Sequence, residues 1–428
     1  MTRPERAVSF YDEHLETMPW EEKEQLLQQQ LQKMVRFAYE RSEAMRQKFL
    51  AAGIEPTEVQ NIEDLQKLAI TSKAKMRQLQ QATPPFGGFL AVDPGELRRI
   101  YTSPGPIFDP EGRQPDYWRL QSCFYNCGFR AGDRVMNTFS YHLTPGGLMC
   151  DEALTGIGCT VIPGGVGNTE TQLQLLQELR INGYIGVPSF LQTLIERAEQ
   201  SGKDFRREFH LQTAVTAGEM LSSSARTTLQ HHYGITVRQF YATADVGAIA
   251  YECQAQNGMH FAEHRLIEVV DPDTGAQLGP GEVGEVVVTL LDNEVYPLIR
   301  FGTGDLSYYE DTPCDCGRSS PRLMKLVGRV DQLTKVRGMF IHPSQIDELT
   351  AAFPEINLAQ AVVNRSANQD TLTLQVVLRQ EPSSREDFAG KLQDRARSVL
   401  KLRADVAFVQ EDEISEPEKR IIDLRKWD

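Results

Sequence analysis

The chain has 428 residues, of which 40% are hydrophobic and 24% are charged, and its formal net charge is −14. This length is typical of a large domain with a smaller one, and no apolar run approaches the roughly 18 residues of a membrane span. The negative charge argues against a nucleic acid or an anionic membrane as the main partner, because both need broad positive surface. The polar, acidic N-terminus lacks the apolar stretch of a signal peptide, so we expect a cytoplasmic protein.

The first predicted element is a helical lead-in over residues 1–75, where apolar residues recur at helical spacing at Leu27, Leu31, Met34 and Ala38. From about residue 95, short apolar runs that end in glycine alternate with amphipathic stretches. Examples are CTVIPGG (159–165) and TQLQLLQELR (171–180). This alternation is typical of an α/β domain that binds its ligands at the carboxyl ends of its strands.

After about residue 250 the pattern becomes β-rich, with HRLIEVV and GEVGEVVVTLL predicting strands joined across an Asp-Pro-Asp-Thr-Gly turn. A smaller unit follows, with strands predicted around Val362 and Leu374 and a helix around Phe388. We therefore predict an α/β fold: a large N-terminal domain at 1–330, with α/β sheets plus a β-rich part, and a small α+β domain at 331–428.

The seven cysteines are an odd number, which favours free thiols or a metal site over a disulfide framework. Cys253 and His260 stand at Cys-x6-His spacing, and Cys314 and Cys316 follow in TPCDCG. Three thiolates and an imidazole suit tetrahedral Zn²⁺ with no open position, so we predict a structural zinc site, although Cys-x-Cys is a tight spacing. The other four are expected to be core thiols: Cys123, Cys127, Cys150 and Cys159.

Several single residues are suited to a nucleotide, and each has a structural alternative. Asp305, after a Gly-Thr-Gly turn, suits the two hydroxyls of a ribose, or bonds its own backbone. Gly218 permits close approach to a flat base, or forms a plain strand-to-loop turn. Tyr241 stacks on that base, or fills the core with its hydroxyl satisfied. Arg300 lies in an apolar run and needs a partner, which a structural ion pair would supply.

Four stretches occur in a definite order: TAGE (216–219), FYATADVG (240–247), PLIRFGTGDL (297–306) and LVGRVDQLTKVRG (326–338). Together they resemble the adenylate-forming superfamily, and most closely the phenylacetate-CoA ligase family, nearly end to end. The resemblance implies a two-step ligase. A carboxylic acid attacks ATP to give an acyl-adenylate and pyrophosphate, and the thiol of CoA then displaces AMP while the small domain moves between the steps. It implies ATP or AMP, Mg²⁺ and CoA as ligands, and a homodimer is a reasonable expectation.

The resemblance also assigns roles to individual positions. It places nucleotide binding at Ala217, Gly218, Glu219, Tyr241, Ala242, Thr243, Asp305, Arg329 and Lys335. The hinge falls on Asp331, although a solvated charged strand would look similar in this region. Several family members carry a Cys/His pattern that matches the predicted zinc ligands. Candidates for the acid pocket lie after predicted strand ends, at Tyr141, His142 and Pro188, and His142 could equally be a satisfied loop histidine.

Departures from the family pattern fall on the ATP-consuming step. Ala244 lacks the hydroxyl that would contact the α-phosphate, so the Thr243 hydroxyl would have to take its place. Asp245 has a shorter side chain than the family's glutamate and extends less far towards Mg²⁺. The C-terminal family lysine falls on Pro417, so Lys419 is the nearest catalytic candidate.

The phosphate loop departs further. It corresponds to YTSPGPIFDPEG (101–112), in which three prolines each remove a donor and Asp109 stands where the family has lysine. The donors left are Thr102, Ser103 and Gly105.

Three hypotheses follow from these matches and departures. The first is an acid-CoA ligase in which Mg²⁺ bridges Asp109 or Asp245 to the phosphates. The second is a regulatory protein that binds nucleotide but has lost the first half-reaction. The third is an enzyme that consumes a ready-made adenylate or works in reverse. We favour the first, because Asp305 and the hinge region are intact.

Overall fold

A computed structural model of the chain describes residues 10–103, 107–336, 339–366 and 369–425. The chain divides into two compact units, Met1–Leu326 and Val327–Asp428. Among the described residues, no helix combines the length and the apolar character that a bilayer crossing requires.

The first unit contains ten α-helices among its described residues and fifteen strands. The helices are α1 Glu13–Thr17, α2 Trp20–Arg41, α3 Glu43–Ala52, α4 Lys73–Ala82, α5 Leu120–Asn126, α6 Gly146–Gly156, α7 Thr169–Glu178, α8 Pro188–Gln200, α9 Phe205–Glu208 and α10 Ser223–Thr227. The strands are β1 Thr71–Ser72, β2 Arg99–Ser103, β3 Ile107–Glu111, β4 Arg134–Asn137, β5 Thr160–Pro163, β6 Gly183–Gly186, β7 Thr213–Thr216, β8 Thr236–Thr243, β9 Gly247–Glu252, β10 Met259–Phe261, β11 Arg265–Val270, β12 Gly284–Leu290, β13 Phe301–Ser307, β14 Tyr309–Glu310 and β15 Arg322–Leu323.

The N-terminal helices follow the predicted periodicity. On α2, Leu31, Val35 and Ala38 are fully buried along one face. Helix α3 begins where Ser42 accepts a hydrogen bond from the Met45 N–H, and it ends at Gly53 in a left-handed conformation. Burial of this apolar stripe against the core therefore stabilises the N-terminal helices.

The central sheet has a parallel half and an antiparallel half. Strands β8, β7, β6, β4 and β5 lie side by side in that order and are parallel. Beyond β8 the sheet continues through β9, β10, β15 and β14 as antiparallel neighbours. Because parallel strands end at the same edge, the segments that follow β4, β5, β6 and β7 come together there.

A second sheet of the first unit contains β1, β13, β12 and β11 in that order. Asp305 lies inside β13, so the predicted Gly-Thr-Gly turn is wrong. The buried Thr303 hydroxyl accepts from the Asp305 N–H (3.1 Å) and donates to the Val286 carbonyl (2.9 Å), while Glu285 accepts from the Gly304 N–H. These side chains stabilise an irregularity in the β12–β13 register, where Gly304 has a φ of +77°.

The second unit is a compact α+β fold, as predicted. Its helices are α11 Pro343–Ala351 and α12 Arg385–Leu400, and its strands are β16 Gly328–Arg329, β17 Thr334–Val336, β18 Met339–Ile341, β19 Ile356–Ser366, β20 Gln369–Leu378, β21 Asp405–Phe408 and β22 Ile421–Asp423. A sheet in the order β21, β20, β19 and β22 packs on these helices. Leu374 on β20 and Phe388 on α12 are both buried in this core.

Candidate functional site

Two residues predicted to hold the nucleoside are in direct contact. The Tyr241 hydroxyl, on β8, donates to Asp305 Oδ2 on β13 at 2.7 Å. Tyr241 is buried and Asp305 is half-buried. The alternative of a core tyrosine with a satisfied hydroxyl is therefore what the structure shows, and its partner is the carboxylate predicted to bind the ribose.

The TAGE segment follows β7, next to the end of β8. Gly218 has a φ of +82° and is exposed, and a Cβ there would stand 3.4 Å from Val187. The Ala217 N–H donates to the Gly186 carbonyl (3.2 Å), and Glu219 is exposed, with Oε2 accepting from the Ser189 N–H at 3.4 Å. The backbone therefore turns at a position where glycine is needed and is exposed there.

The segment after Tyr241 makes a tight turn into β9. Ala242 is half-buried, and the Thr243 hydroxyl accepts a long hydrogen bond from the Val246 N–H (3.4 Å). Gly247 closes the turn with a φ of +70°. Glycine is needed at this position because a Cβ would lie 2.5 Å from the Trp118 carbonyl oxygen. This turn fixes Asp245, which is 5% exposed.

The segment predicted to be a degenerate phosphate loop forms a hairpin of β2 and β3. Thr102 and Ser103 lie near its tip, and Gly105 falls outside the described residues. The Thr102 N–H donates to the Leu143 carbonyl (2.9 Å), which ties the hairpin to the segment after β4. Asp109 stands opposite Tyr101 on the inward face of the hairpin and is 1% exposed.

Asp109 and Asp245 are buried carboxylates within reach of each other's charge. Burial and, to a smaller extent, the Asp245 charge raise the pKa of Asp109 to about 8, although the Ser103 hydroxyl and the Lys73 ammonium act in the opposite direction. No hydrogen bond of good geometry reaches either oxygen of Asp109 from the part of the chain that the structure describes.

Lys73 is a member of this site that the sequence motifs did not indicate. Its ammonium lies 3.0 Å from Asp245 Oδ2, and its side chain is 31% exposed. Lys73 is the first residue of α4, which Ser72 caps. On the same helix, the Gln80 side chain accepts from the Phe108 N–H and donates to the Phe108 carbonyl, so α4 is fastened along β3. The only sequence signal is a lysine after a helix-capping serine, which is too common to be informative.

The predicted acid-pocket residues divide into structural and exposed positions. Tyr141 donates to Asp151 Oδ2 and accepts from Asn137 Nδ2, both at 2.9 Å, so its hydroxyl is satisfied. Pro188 is buried in the first turn of α8, and His142 is exposed. Large apolar side chains are exposed in the segments after β4, β5 and β7, at Leu143, Val166 and Met220.

Arg300 is a structural residue, in agreement with the alternative given above. Its guanidinium contacts Glu268 through Nε at 3.1 Å and Nη2 at 3.0 Å, and both side chains are almost fully buried. It also donates to the carbonyls of Leu68 (2.9 Å) and Gly275 (2.7 Å). Its role is to join β11, β13 and the segment before β1.

The four predicted metal ligands converge. Their ligand atoms all lie within 4.8 Å of one another, with Cys253 Sγ 3.8 Å from Cys314 Sγ and Cys316 Sγ 3.2 Å from His260 Nε2. Zn–S bonds of about 2.3 Å in a tetrahedron place two sulfurs about 3.8 Å apart. The other ring nitrogen, Nδ1, lies 3.0 Å from the Ser320 carbonyl, which leaves Nε2 to face the cluster.

The donor set itself favours a cation. A hydrogen bond from Cys253 lowers the pKa of the Cys316 thiol, and His260 lowers it further, so the cluster favours at least one thiolate. The residues therefore fit Zn²⁺. The remaining cysteines, Cys123, Cys127, Cys150 and Cys159, are free thiols buried in the core.

An ion pair lies directly behind this cluster. The Arg318 N–H donates to Cys316 Sγ at 3.4 Å, and Arg318 Nε donates to Glu16 Oε2 on α1 at 2.8 Å. Both charged side chains are 1% exposed. Arg318 Nη2 also donates to Asn126 Oδ1 at 2.9 Å. The loop that carries Cys314 and Cys316 is thus attached to the N-terminal helix.

In the second unit, the structure places the remaining predicted residues in separate settings. The Arg329 N–H donates to His342 Nε2 at 3.3 Å. The side chains of Asp331 and Lys335 are not among those that the structure describes. Lys419 is exposed and pairs with Glu416 Oε2 at 2.5 Å, just before β22.

The fold and the Tyr241–Asp305 contact define an adenylate-forming enzyme architecture. Residues 117–289 match the family model described as AMP-binding enzyme, and residues 338–425 match the one described as AMP-binding enzyme C-terminal domain. The phenylacetate-coenzyme A ligase of Thermus thermophilus is 32% identical over 389 residues, which cover 88% of this chain and 86% of that protein. The chain belongs to the phenylacetate-CoA ligase family, as its motifs predicted.

Other relatives agree with this assignment. The phenylacetate-coenzyme A ligase of Escherichia coli is 29% identical, over 96% of this chain and 97% of that protein. Among solved structures, an open conformation of 2-hydroxyisobutyryl-CoA ligase in complex with 2-HIB-AMP and CoA matches with a TM-score of 0.87 and 25% identity. That match covers 97% of this chain and 94% of the other. The predicted fold class is confirmed, and the roles of single residues remain predictions.

Proposed function

We propose that this chain is an ATP-dependent carboxylic acid-CoA ligase that acts through an acyl-adenylate. The observation that carries the proposal is the hydrogen bond from Tyr241 to Asp305, and the backbone at Gly218 is exposed. A carboxylate oriented by a buried hydroxyl is suited to accept hydrogen bonds from two vicinal ribose hydroxyls, and a bare glycine backbone accepts a flat base. Relatives over nearly the whole chain are named as CoA ligases, which supports both nucleotide and CoA as ligands.

The chemistry follows from the order of the two displacements. An oxygen of the acid attacks the α-phosphorus of ATP, and pyrophosphate leaves with the electrons of the broken P–O bond. The thiol of CoA then attacks the acyl carbon, loses its proton and releases AMP. Mg²⁺, held by the phosphates and Asp245, would supply positive charge at the phosphoryl group, and Lys419 would contribute a further cation in the first step.

The acid is proposed by class. The apolar side chains of Leu143, Val166 and Met220 are exposed at the carboxyl edge of the parallel strands, where ligands of α/β sheets bind. Burial of such side chains against an aryl or branched alkyl group would stabilise the complex, whereas a polyanionic acid would gain nothing from them. The named relatives act on phenylacetate and 2-hydroxyisobutyrate, which are small acids of this kind.

We also propose that the cluster of Cys253, His260, Cys314 and Cys316 holds one structural Zn²⁺. Its support is the convergence of the donor atoms and the orientation of His260 by Ser320. The cytoplasmic location and the homodimer remain predictions from the sequence, and so does the absence of a nucleic acid or membrane partner.

A two-part assay tests the proposed function. In the first part, the protein is incubated with ATP, Mg²⁺, CoA and a panel of aryl, branched and short-chain acids, and the release of pyrophosphate, AMP and thioester is measured. In the second part, a synthetic acyl-adenylate and CoA replace ATP and the acid. A ligase releases pyrophosphate in the first part and forms thioester in both.

Other outcomes favour the competing hypotheses. Thioester formation from the acyl-adenylate alone would indicate an enzyme that consumes a ready-made adenylate. No reaction in either part, together with tight AMP binding by calorimetry, would overturn the proposal in favour of a nucleotide-binding regulator. Asp305→Asn is the test variant for the nucleotide site, because it should weaken AMP binding under each hypothesis.

A further inference from the structure

The site under the β2–β3 hairpin contains two buried carboxyl groups and one partly buried ammonium. Asp109 and Asp245 are 1% and 5% exposed, and Lys73 is the cation that pairs with Asp245. When both carboxylates are ionised, one negative charge is left without compensation. A buried carboxylate in that state is costly unless a cation or a set of hydrogen bonds accompanies it.

Another buried carboxylate of the same hairpin shows the usual solution. Glu111 is also 1% exposed, and it accepts two hydrogen bonds from Arg99 Nη1 at 2.9 and 3.2 Å and one from the Tyr101 hydroxyl at 2.5 Å. Asp109 receives no hydrogen bond of good geometry from any described residue. Its carboxylate therefore lacks the well-aligned hydrogen bonds that Glu111 has, and the Ser103 hydroxyl and the Lys73 ammonium are the groups that lower its pKa.

The backbone holds both carboxylates in fixed positions. Asp109 lies within β3, next to Phe108. The Phe108 N–H and carbonyl are both hydrogen-bonded to the Gln80 side chain of α4. Asp245 lies in the turn that Gly247 closes against Trp118. Lys73, in contrast, has a side chain that is 31% exposed and a flexible stem, so its ammonium can turn towards solvent when another cation arrives.

We propose that Asp109 and Asp245 together bind one divalent cation of the Mg²⁺ or Mn²⁺ type in the absence of nucleotide. Carboxylate oxygens are the ligands that these hard cations prefer, and water completes their coordination. Binding reverses the excess charge of the site from negative to positive and displaces Lys73 from Asp245. On the proposed function, the site then offers two cations, the metal and the Lys73 ammonium, to the phosphates of ATP.

This site would explain how a hairpin with a carboxylate at the family's lysine position could still face a phosphate. Without the metal, an ionised Asp109 would repel the phosphates, because like charges at 4 Å interact by about 4 kcal/mol at an effective dielectric of 20. With the metal, the same carboxylate becomes an anchor for positive charge. Asp109 is thus assigned as a ligand-binding residue of this chain.

The test is Mn²⁺ binding to the full, zinc-loaded chain without nucleotide, measured by electron paramagnetic resonance of free Mn²⁺ and by calorimetry. The wild type should bind about one Mn²⁺ per chain, and Mg²⁺ should compete. Asp109→Asn and Asp245→Asn should each weaken Mn²⁺ binding by on the order of tenfold or more, since each removes an anionic ligand. Lys73→Met should tighten binding severalfold, because it removes the competing ammonium.

The matched control is Asp311→Asn, which changes an exposed carboxylate of the same unit and should leave Mn²⁺ binding unchanged. The proposal is overturned if the wild type shows no saturable Mn²⁺ binding, or if Asp109→Asn binds Mn²⁺ as the wild type does. If one aspartate variant fails to fold, the other aspartate variant and Lys73→Met decide the matter. A chain that binds Mn²⁺ but releases no pyrophosphate retains this site and loses the proposed function, so the two failures are distinguishable.

Discussion

The Tyr241 hydroxyl and the Asp305 carboxylate are joined across 2.7 Å, and this hydrogen bond connects the central sheet to the second sheet of the first unit. Tyr241 comes from β8 and Asp305 from β13, so neither strand alone could orient the carboxylate. The bond holds one oxygen, Oδ2, and so restricts the orientation of the half-buried carboxylate. A preorganised carboxylate binds a diol without a further loss of side-chain entropy.

Asp305→Asn should weaken AMP binding by about 10- to 100-fold, because a hydrogen bond to a charged group contributes about 1.5–3 kcal/mol. Tyr241→Phe should cost less, about 3- to 10-fold, since it removes only the orienting hydroxyl. Calorimetric titration with AMP measures both effects. Asp311→Asn, an exposed carboxylate of the same unit, is the control and should bind AMP as the wild type does. Equal affinity of Asp305→Asn and wild type would show that the ribose lies elsewhere.

Metal analysis of the purified chain should find about one zinc per chain, and Cys316→Ser should lower this content and the melting temperature. The reason is that Cys316 contributes a thiolate in contact with His260 Nε2 at 3.2 Å. Cys150→Ser is the matched control, because Cys150 is also a buried thiol but lies in the apolar core. Its zinc content should equal that of the wild type, and a zinc-free wild type would reject the metal assignment.

Arg318→Met should destabilise the first unit by about 3–5 kcal/mol, since it leaves the Glu16 carboxylate buried without its charge partner. The free energy of unfolding from urea denaturation measures this loss. Combining it with Glu16→Gln should recover part of the stability, because the uncompensated charge is then removed. Simple addition of the two losses would instead indicate that Glu16 and Arg318 act independently.

The sequence predicted those features that depend on residue type and local period. Leu374 and Phe388 were assigned to a core from alternation and helical spacing, and both are buried. Cys253 and Cys316 were assigned to a metal site because few other roles suit such a set of donors, and their atoms do converge.

The sequence did not predict contacts that depend on how distant segments pack. Glu16 and Arg318 are 302 positions apart, and no local pattern connects them. Lys73 reaches Asp245 only because α4 is fastened along β3 by Gln80, a residue with no distinctive motif. Asp305 was placed in a turn because glycines flank Thr303, whereas the strand is maintained by a buried threonine hydroxyl and by Glu285.

Lys48 should make stability depend on pH. Its ammonium donates to the Ile299 carbonyl at 2.5 Å and to Thr71 Oγ1 at 3.1 Å, and burial, with the nearby Arg300 charge, lowers its pKa from 10.5 to about 7. The unfolded chain therefore binds more protons between about pH 7 and 10.5, so this residue makes stability rise with pH through that window. The slope is below the one-proton limit of about 1.4 kcal/mol per pH unit, because the Lys48 residue is only half-buried.

Lys48→Met lacks this titration, so the wild type should gain stability relative to the variant as the pH rises from 7 to 8.5. Urea denaturation at several pH values gives the difference. Lys33→Met, at an exposed position of α2, should follow the wild-type curve. Parallel curves for Lys48→Met and the wild type would show that the Lys48 ammonium keeps its proton in the folded chain throughout this range.

Lys419 is the last residue for which the family pattern and the structure lead to a decisive experiment. Its ammonium is exposed and contacts only a neighbouring exposed carboxylate, Glu416, among the bonds that the structure gives for it, so its removal should not disturb the core of the second unit. If Lys419 acts in adenylation, Lys419→Met should slow pyrophosphate release by on the order of 100-fold, the usual effect of removing one donor from a developing charge. Thioester formation from a synthetic acyl-adenylate should stay near the wild-type rate, because that step does not involve the departing pyrophosphate.

Lys391→Met is the matched control for this experiment, since Lys391 is an exposed lysine of the same unit on α12. It should leave both half-reactions unchanged. If Lys419→Met behaves like Lys391→Met, Lys419 is a solvated lysine and the adenylation step uses another cation, for which Lys73 is the candidate that the first unit provides. If Lys419→Met slows both half-reactions equally, the residue acts on the small domain as a whole, because a contact made only at the phosphates would affect the first step alone.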